Sequence, residues 1–133
     1  MHQCPGRLKL HGEEHEETLA AARNYANSLV ELNRFKEAKP LLSKTIPVVR
    51  RLLGQSHELT LRTRLTYARS LFDDPTATLD DLHEAVTMLE DAGRIARRVM
   101  GGAHPLTVDI EDELRDARAA LRVRETPPPS RSA

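Results

Sequence analysis

The stretch LLGQSHELTL, Leu52 to Leu61, decides how the rest of the chain is read. It places Gly54, His57 and Thr60 at even three-residue intervals, a pattern that could belong to an active site. The same spacing returns as Gly12, His15 and Thr18 in HGEEHEETL, and as Gly101, His104 and Thr107 in MGGAHPLTV. His15 and His57 lie 42 residues apart and His57 and His104 lie 47 apart, so the motif marks a repeat whose second unit carries five extra residues.

The units overlay along their length. NYANSLV, from Asn24, falls on TYARSLF, from Thr66, and FKEAKPLLSKTIPVVRRLLG, from Phe35, falls on LHEAVTMLEDAGRIARRVMG, from Leu82. Each unit reads as two amphipathic helices. Leu19, Ala22, Tyr25, Ala26 and Leu29 share one face of the first, and Phe35, Ala38, Leu42, Ile46, Val49 and Leu53 share one face of the second. In unit two the sets are Leu61, Tyr67, Ala68 and Leu71, then Leu82, Ala85, Leu89, Ala92, Ala96, Val99 and Met100. A single hairpin of this kind cannot bury its stripe, so neighbouring hairpins must stack, which predicts an all-α solenoid of about five helices.

Within that scheme the opening motif is architectural. Gly12, Gly54 and Gly101 fall where a helix ends in a left-handed residue, His15, His57 and His104 at the start of the next helix, and Pro105 at its first position. Thr18, Thr60 and Thr107 fall in the first turn, where a hydroxyl can satisfy free backbone donors. A zinc site needs three or four convergent ligands, whereas one histidine per stacked unit spaces the rings by about 10 Å. No metal, cofactor or catalytic residue is expected, and the chain is not expected to be an enzyme.

Composition agrees. Leu, Ala, Arg and Glu dominate, aromatic residues are 3%, and helix formers therefore prevail. Twenty Lys and Arg balance twenty Asp and Glu, without the basic excess of a nucleic-acid-binding domain. The single cysteine, Cys4, has no internal disulfide partner, and no apolar run reaches the roughly 18 residues of a membrane span. A soluble, cytoplasmic protein without nucleic-acid or membrane partners is expected.

The pattern LGxxHxxTLxxRxxYAxSL followed by EAxxLLxxxxxxxRRxLG resembles the 42-residue tetratricopeptide repeats of kinesin light chains and nephrocystin-like proteins, over about residues 8–121. The resemblance implies a right-handed α-solenoid that binds a peptide or partner protein in a concave groove, as a scaffold or adaptor. It also implies that the first helix of each hairpin lines the groove. The candidate groove residues are then Arg23, Asn24, Asn27 and Glu31 in unit one and Arg62, Leu65, Thr66 and Arg69 in unit two. Asp109, Asp112, Glu113 and Asp116 supply an acidic end in the last helix. Arg23 and Asn27 match two positions of the clamp with which some tetratricopeptide domains hold a carboxy-terminal carboxylate. Thr66, Asp109 and Glu113 depart from that clamp, so chaperone-tail binding is not expected. The alternative reading is a regulatory or docking segment of a larger enzyme, such as a repeat-tailed signalling ATPase or kinase.

The expected organisation is a remnant of a preceding repeat helix or a flexible arm over residues 1–12, unit one over 13–54, unit two over 55–101, a capping helix over 102–124 and a disordered tail over 125–133. Pro40 and Pro47 predict a bend or break near Pro47. In the insertion DDPTATLDD, Asp73 to Asp81, Pro75 stops one helix and Thr76 or Thr78 caps the next. The apolar face of the first hairpin is a surface for self-association.

Overall fold

The computed structural model describes residues 4–126, with side chains described for residues 15–126; the expected tail from residue 127 onward lies outside them. Five helices follow in order: α1 (Cys4–Glu31), α2 (Phe35–Leu53), α3 (Glu58–Phe72), α4 (Leu79–Met100) and α5 (Pro105–Glu125). Consecutive helices pack side by side, and in addition α1 touches α3 and α3 touches α5, while α2 and α4 do not approach one another. The stack therefore closes on the side of α1, α3 and α5 and opens on the side of α2 and α4. This is the curvature of an all-α solenoid of helical hairpins.

The repeat motif builds the joints. Gly54 and Gly101 both have φ 93, with ψ 161 and 157, and their N–H groups donate to the Arg50 and Arg97 carbonyls. The backbone is thus in the extended positive-φ region open to glycine, not the left-handed helical conformation expected from sequence. Two residues of loop follow, and His57 caps α3: the Leu59 N–H donates to His57 Nδ1 at 3.0 Å. His104 caps α5 identically, the Leu106 N–H donating to its Nδ1 at 3.0 Å, with Pro105 in the first turn as expected. Both imidazoles must carry their proton on Nε2 to accept there. The Thr60 hydroxyl donates to the Gly54 carbonyl at 2.7 Å. It closes the loop from within, and the expectation that this hydroxyl serves backbone donors is corrected accordingly.

The first copy of the motif behaves differently. Helix α1 runs unbroken through Gly12 and His15, so Gly12 does not terminate a helix there. Glu13 and Glu14 stand where the other copies have Gln55-Ser56 and Gly102-Ala103, and glutamate favours a helix more than serine or glycine does.

Leu42, Leu61, Leu82, Leu89, Leu106 and Ile110 are fully buried, and each such side chain contributes about 1.5–3 kcal/mol. One cluster joins α3, α4 and α5, a second joins α1 to α2, and Tyr67 packs against both. A third cluster, Leu19, Val49 and Leu59, ties α1, α2 and α3. Two expected core residues are outside: Tyr25 is 58% exposed and Val99 is 51% exposed. Tyr25 occupies the position of Tyr67 but, among the described residues, packs against none of the three clusters.

Helix α2 runs uninterrupted through Pro40 and Pro47, so no break occurs. The two prolines are seven residues apart and both exposed. The carbonyls they leave without a helical donor, those of Lys36 and Ser43, lie on the solvent side, where water can serve them. The insertion is folded down against the stack. Asp74 is buried, receives Lys39 Nζ at 2.7 Å and the Thr76 N–H and hydroxyl, and accepts the Ala77 N–H on its carbonyl. Arg124 of α5 donates to the Ala77 carbonyl. Thr78 then caps α4 in a reciprocal capping box with Asp81.

Candidate binding groove

The first helices of the hairpins present a connected set of polar side chains on the closed side of the stack. From α1, Arg23 Nε donates to Thr66 Oγ1 of α3 at 3.2 Å, and its Nη1 donates to Asn24 Oδ1 at 3.0 Å. One turn on, Asn27 donates to Glu31 at 3.3 Å and accepts Arg69 Nη1 of α3 at 3.3 Å. Arg69 Nε lies 3.9 Å from Asp73 and 4.0 Å from Glu113 of α5, with no hydrogen-bond partner of its own. Arg62 pairs along its own helix with Glu58, Nε to Oε2 at 2.9 Å. One network thus spans three helices, with Arg69 at its centre.

The surface is divided by charge. Partial burial destabilises the charged form of Arg23, Arg62 and Arg69 repel it further, and Glu31 only partly offsets them. At the other end burial raises the pKa of Glu113. Arg69 opposes that rise, whereas Asp73, Asp116 and Asp109 add to it. Burial and Asp116 likewise raise Asp73 against the pull of Arg69. A single guanidinium therefore stands between two arginines and four carboxylates.

Of the residues expected in the groove, Arg23, Asn24, Asn27, Glu31, Arg62, Arg69 and Glu113 fall in this network or beside it, and Asp109 and Asp116 lie on the same side of α5 as Glu113. Asp112 is about 60° further round that helix and pairs with Arg115. Thr66 is 1% exposed and sits beneath Arg23, so it supports the surface without forming it. Leu65 is buried in the core, not displayed. Sequence reasoning missed Asp73 by assigning it to the insertion; its spacing of four from Arg69 was the available signal. It also missed Arg64, buried on α3 and bonded to Asp91 of α4 at 2.8 Å. That pair had no signature, because a buried arginine at an otherwise apolar position looks like an exposed one in sequence.

Among the described residues no group of three histidine, cysteine, aspartate or glutamate side chains is arranged to hold a metal ion, and no helix is long and apolar enough to cross a membrane. Residues 18–58 match the family model of the tetratricopeptide repeat, a stretch that covers the second half of α1, all of α2 and the joint into α3. No curated protein and no solved structure matches the chain.

Proposed function

We propose that the chain is a non-catalytic interaction module that binds a peptide or a segment of a partner protein along the α1–α3–α5 surface, as a scaffold or adaptor. The observation that carries this is the polar network from Arg23 to Glu113. It joins three helices on one surface and leaves Arg69 held by contacts of 3.3 to 4.0 Å, which a ligand carboxylate or carbonyl can replace. Asn24 and Asn27 offer amide donors and acceptors of the kind an extended backbone pairs with. The tetratricopeptide match over residues 18–58 supports the reading, since such repeats generally mediate protein–protein contacts. The 42-residue phase with its glycine–histidine–threonine joint favours the kinesin light chain and nephrocystin-like type of repeat.

The test is selection of peptides from a random display library on the purified protein, followed by anisotropy titration of a recovered peptide. Arg69→Ala should weaken binding about tenfold or more, as loss of an interface arginine commonly does. Arg94→Ala, on the outer face of α4, should leave it unchanged. The reverse pattern would place the binding surface elsewhere.

A further inference from the structure

The groove shares its charges unevenly. At the α1–α3 seam Arg23 forms no ion pair among the described residues. Its bonds go to the Thr66 hydroxyl and the Asn24 amide, both neutral, while Arg62 and Arg69 repel it. At the α3–α5 seam the imbalance is reversed. Asp109 and Asp116 are exposed and form no ion pair among the described residues, and Asp73 and Glu113 approach Arg69 only to 3.9 and 4.0 Å.

Arg69 links the two imbalances. It is the cation that opposes the raised pKa of both Asp73 and Glu113, against burial and against their carboxylate neighbours. A ligand carboxylate that captures Arg69 draws it away from them and leaves two partly buried anions facing Asp116 without a cation. A uniformly acidic ligand therefore stabilises one end of the groove and destabilises the other. A uniformly basic one meets Arg23 and Arg69 with like charge.

We infer, on the reading of this surface as the binding groove, that its partner is an extended segment of mixed charge. An aspartate or glutamate of the partner reaches Arg23 and Arg69, and a lysine or arginine enters among Asp73, Glu113 and Asp116. The two seams lie about one interhelical spacing apart, roughly 10 Å, which an extended chain covers in about three residues. Side chains on one face of such a chain recur at every second residue, so the two charges stand about two or four residues apart. Their order sets the direction in which the segment crosses the stack, acid over α1 and α3, base over α3 and α5.

The test is selection on the full chain from a random peptide display library, followed by double-mutant cycles read by anisotropy. Recovered peptides that lose binding to Arg69→Ala should carry an acidic and a basic residue at one of these separations. Replacing the peptide's acid by its amide should couple to Arg23→Gln, and replacing its base by glutamine should couple to Glu113→Gln, each by about fivefold or more. The crossed pairs, about 10 Å apart, should be close to additive. Circular dichroism of Arg23→Gln and Glu113→Gln should show helicity retained. Peptides that need Arg69 but carry no such charge pair would overturn the inference and leave the groove standing. So would crossed pairs that couple as strongly as the matched ones. Peptides indifferent to Arg69→Ala, or a selection that yields none, would overturn the groove reading and this inference with it.

Discussion

Replacing Gly54 by alanine isolates what the repeat motif contributes. An added Cβ at Gly54 meets nothing within 4 Å, and the residue is exposed, so the substitution neither clashes with a neighbour nor gains burial. What remains is the backbone. At φ 93 and ψ 161 an L-residue is held in a region essentially reserved for glycine, which costs about 1–3 kcal/mol. Alanine recovers about 0.4–1 kcal/mol by stiffening the unfolded chain. A net loss of about 1–2 kcal/mol is expected, read as a lower urea midpoint at unchanged slope. Asparagine supplies the control. It tolerates the left-handed helical conformation but not this extended one, so Gly54→Asn should be no better than Gly54→Ala. A neutral alanine variant, or a clear rescue by asparagine, would refute the assignment of Gly54 to this conformation.

Two further outcomes follow from the same joints. His57→Ala should cost about 1 kcal/mol in urea unfolding because the Leu59 N–H loses its acceptor, and His57→Asn should retain most of the stability because asparagine caps well. Asp74 sets an acid limit. Burial opposes its charge, but hydrogen bonds from Lys39 and Thr76 outweigh burial and hold its pKa at about 2, against an ordinary 3.8. A carboxyl depressed in the folded state stabilises above its unfolded pKa and loses that contribution as pH falls from about 4 toward 2. The gap corresponds to about 2 kcal/mol. Asp74→Asn should therefore lower stability by about that amount at pH 7, with the difference from the parent shrinking as the pH of the unfolding series is lowered from 5 to 3.

The stacking of hairpins was legible because it rests on periodic features: apolar residues at helical spacing, and glycine and histidine at fixed offsets. Leu42, Leu61 and Leu89 are buried where that spacing puts them. What escaped depends on neighbours. Tyr25 and Tyr67 are the same letter in the same repeat position, yet among the described residues only Tyr67 packs against core clusters on both sides. Gly12 shares the motif of Gly54 but is followed by two glutamates, and the helix runs on. Pro47 looked disruptive because sequence does not reveal whether water reaches the carbonyl it leaves free, that of Ser43. In the groove, the charged side chains of α1 and α3 were readable from the pattern. Asp73 was not, since its place beside Glu113 depends on how α5 docks.

The most direct measurement is a titration of the isotope-labelled protein with a display-selected peptide, followed residue by residue in nitrogen–proton correlation spectra. The account predicts that the largest shifts fall on Arg23, Asn24, Asn27, Arg62, Arg69, Asp73 and Glu113, with the exposed positions of α2 and the outer face of α4 unmoved. Shifts concentrated on α2 and α4 would contradict it.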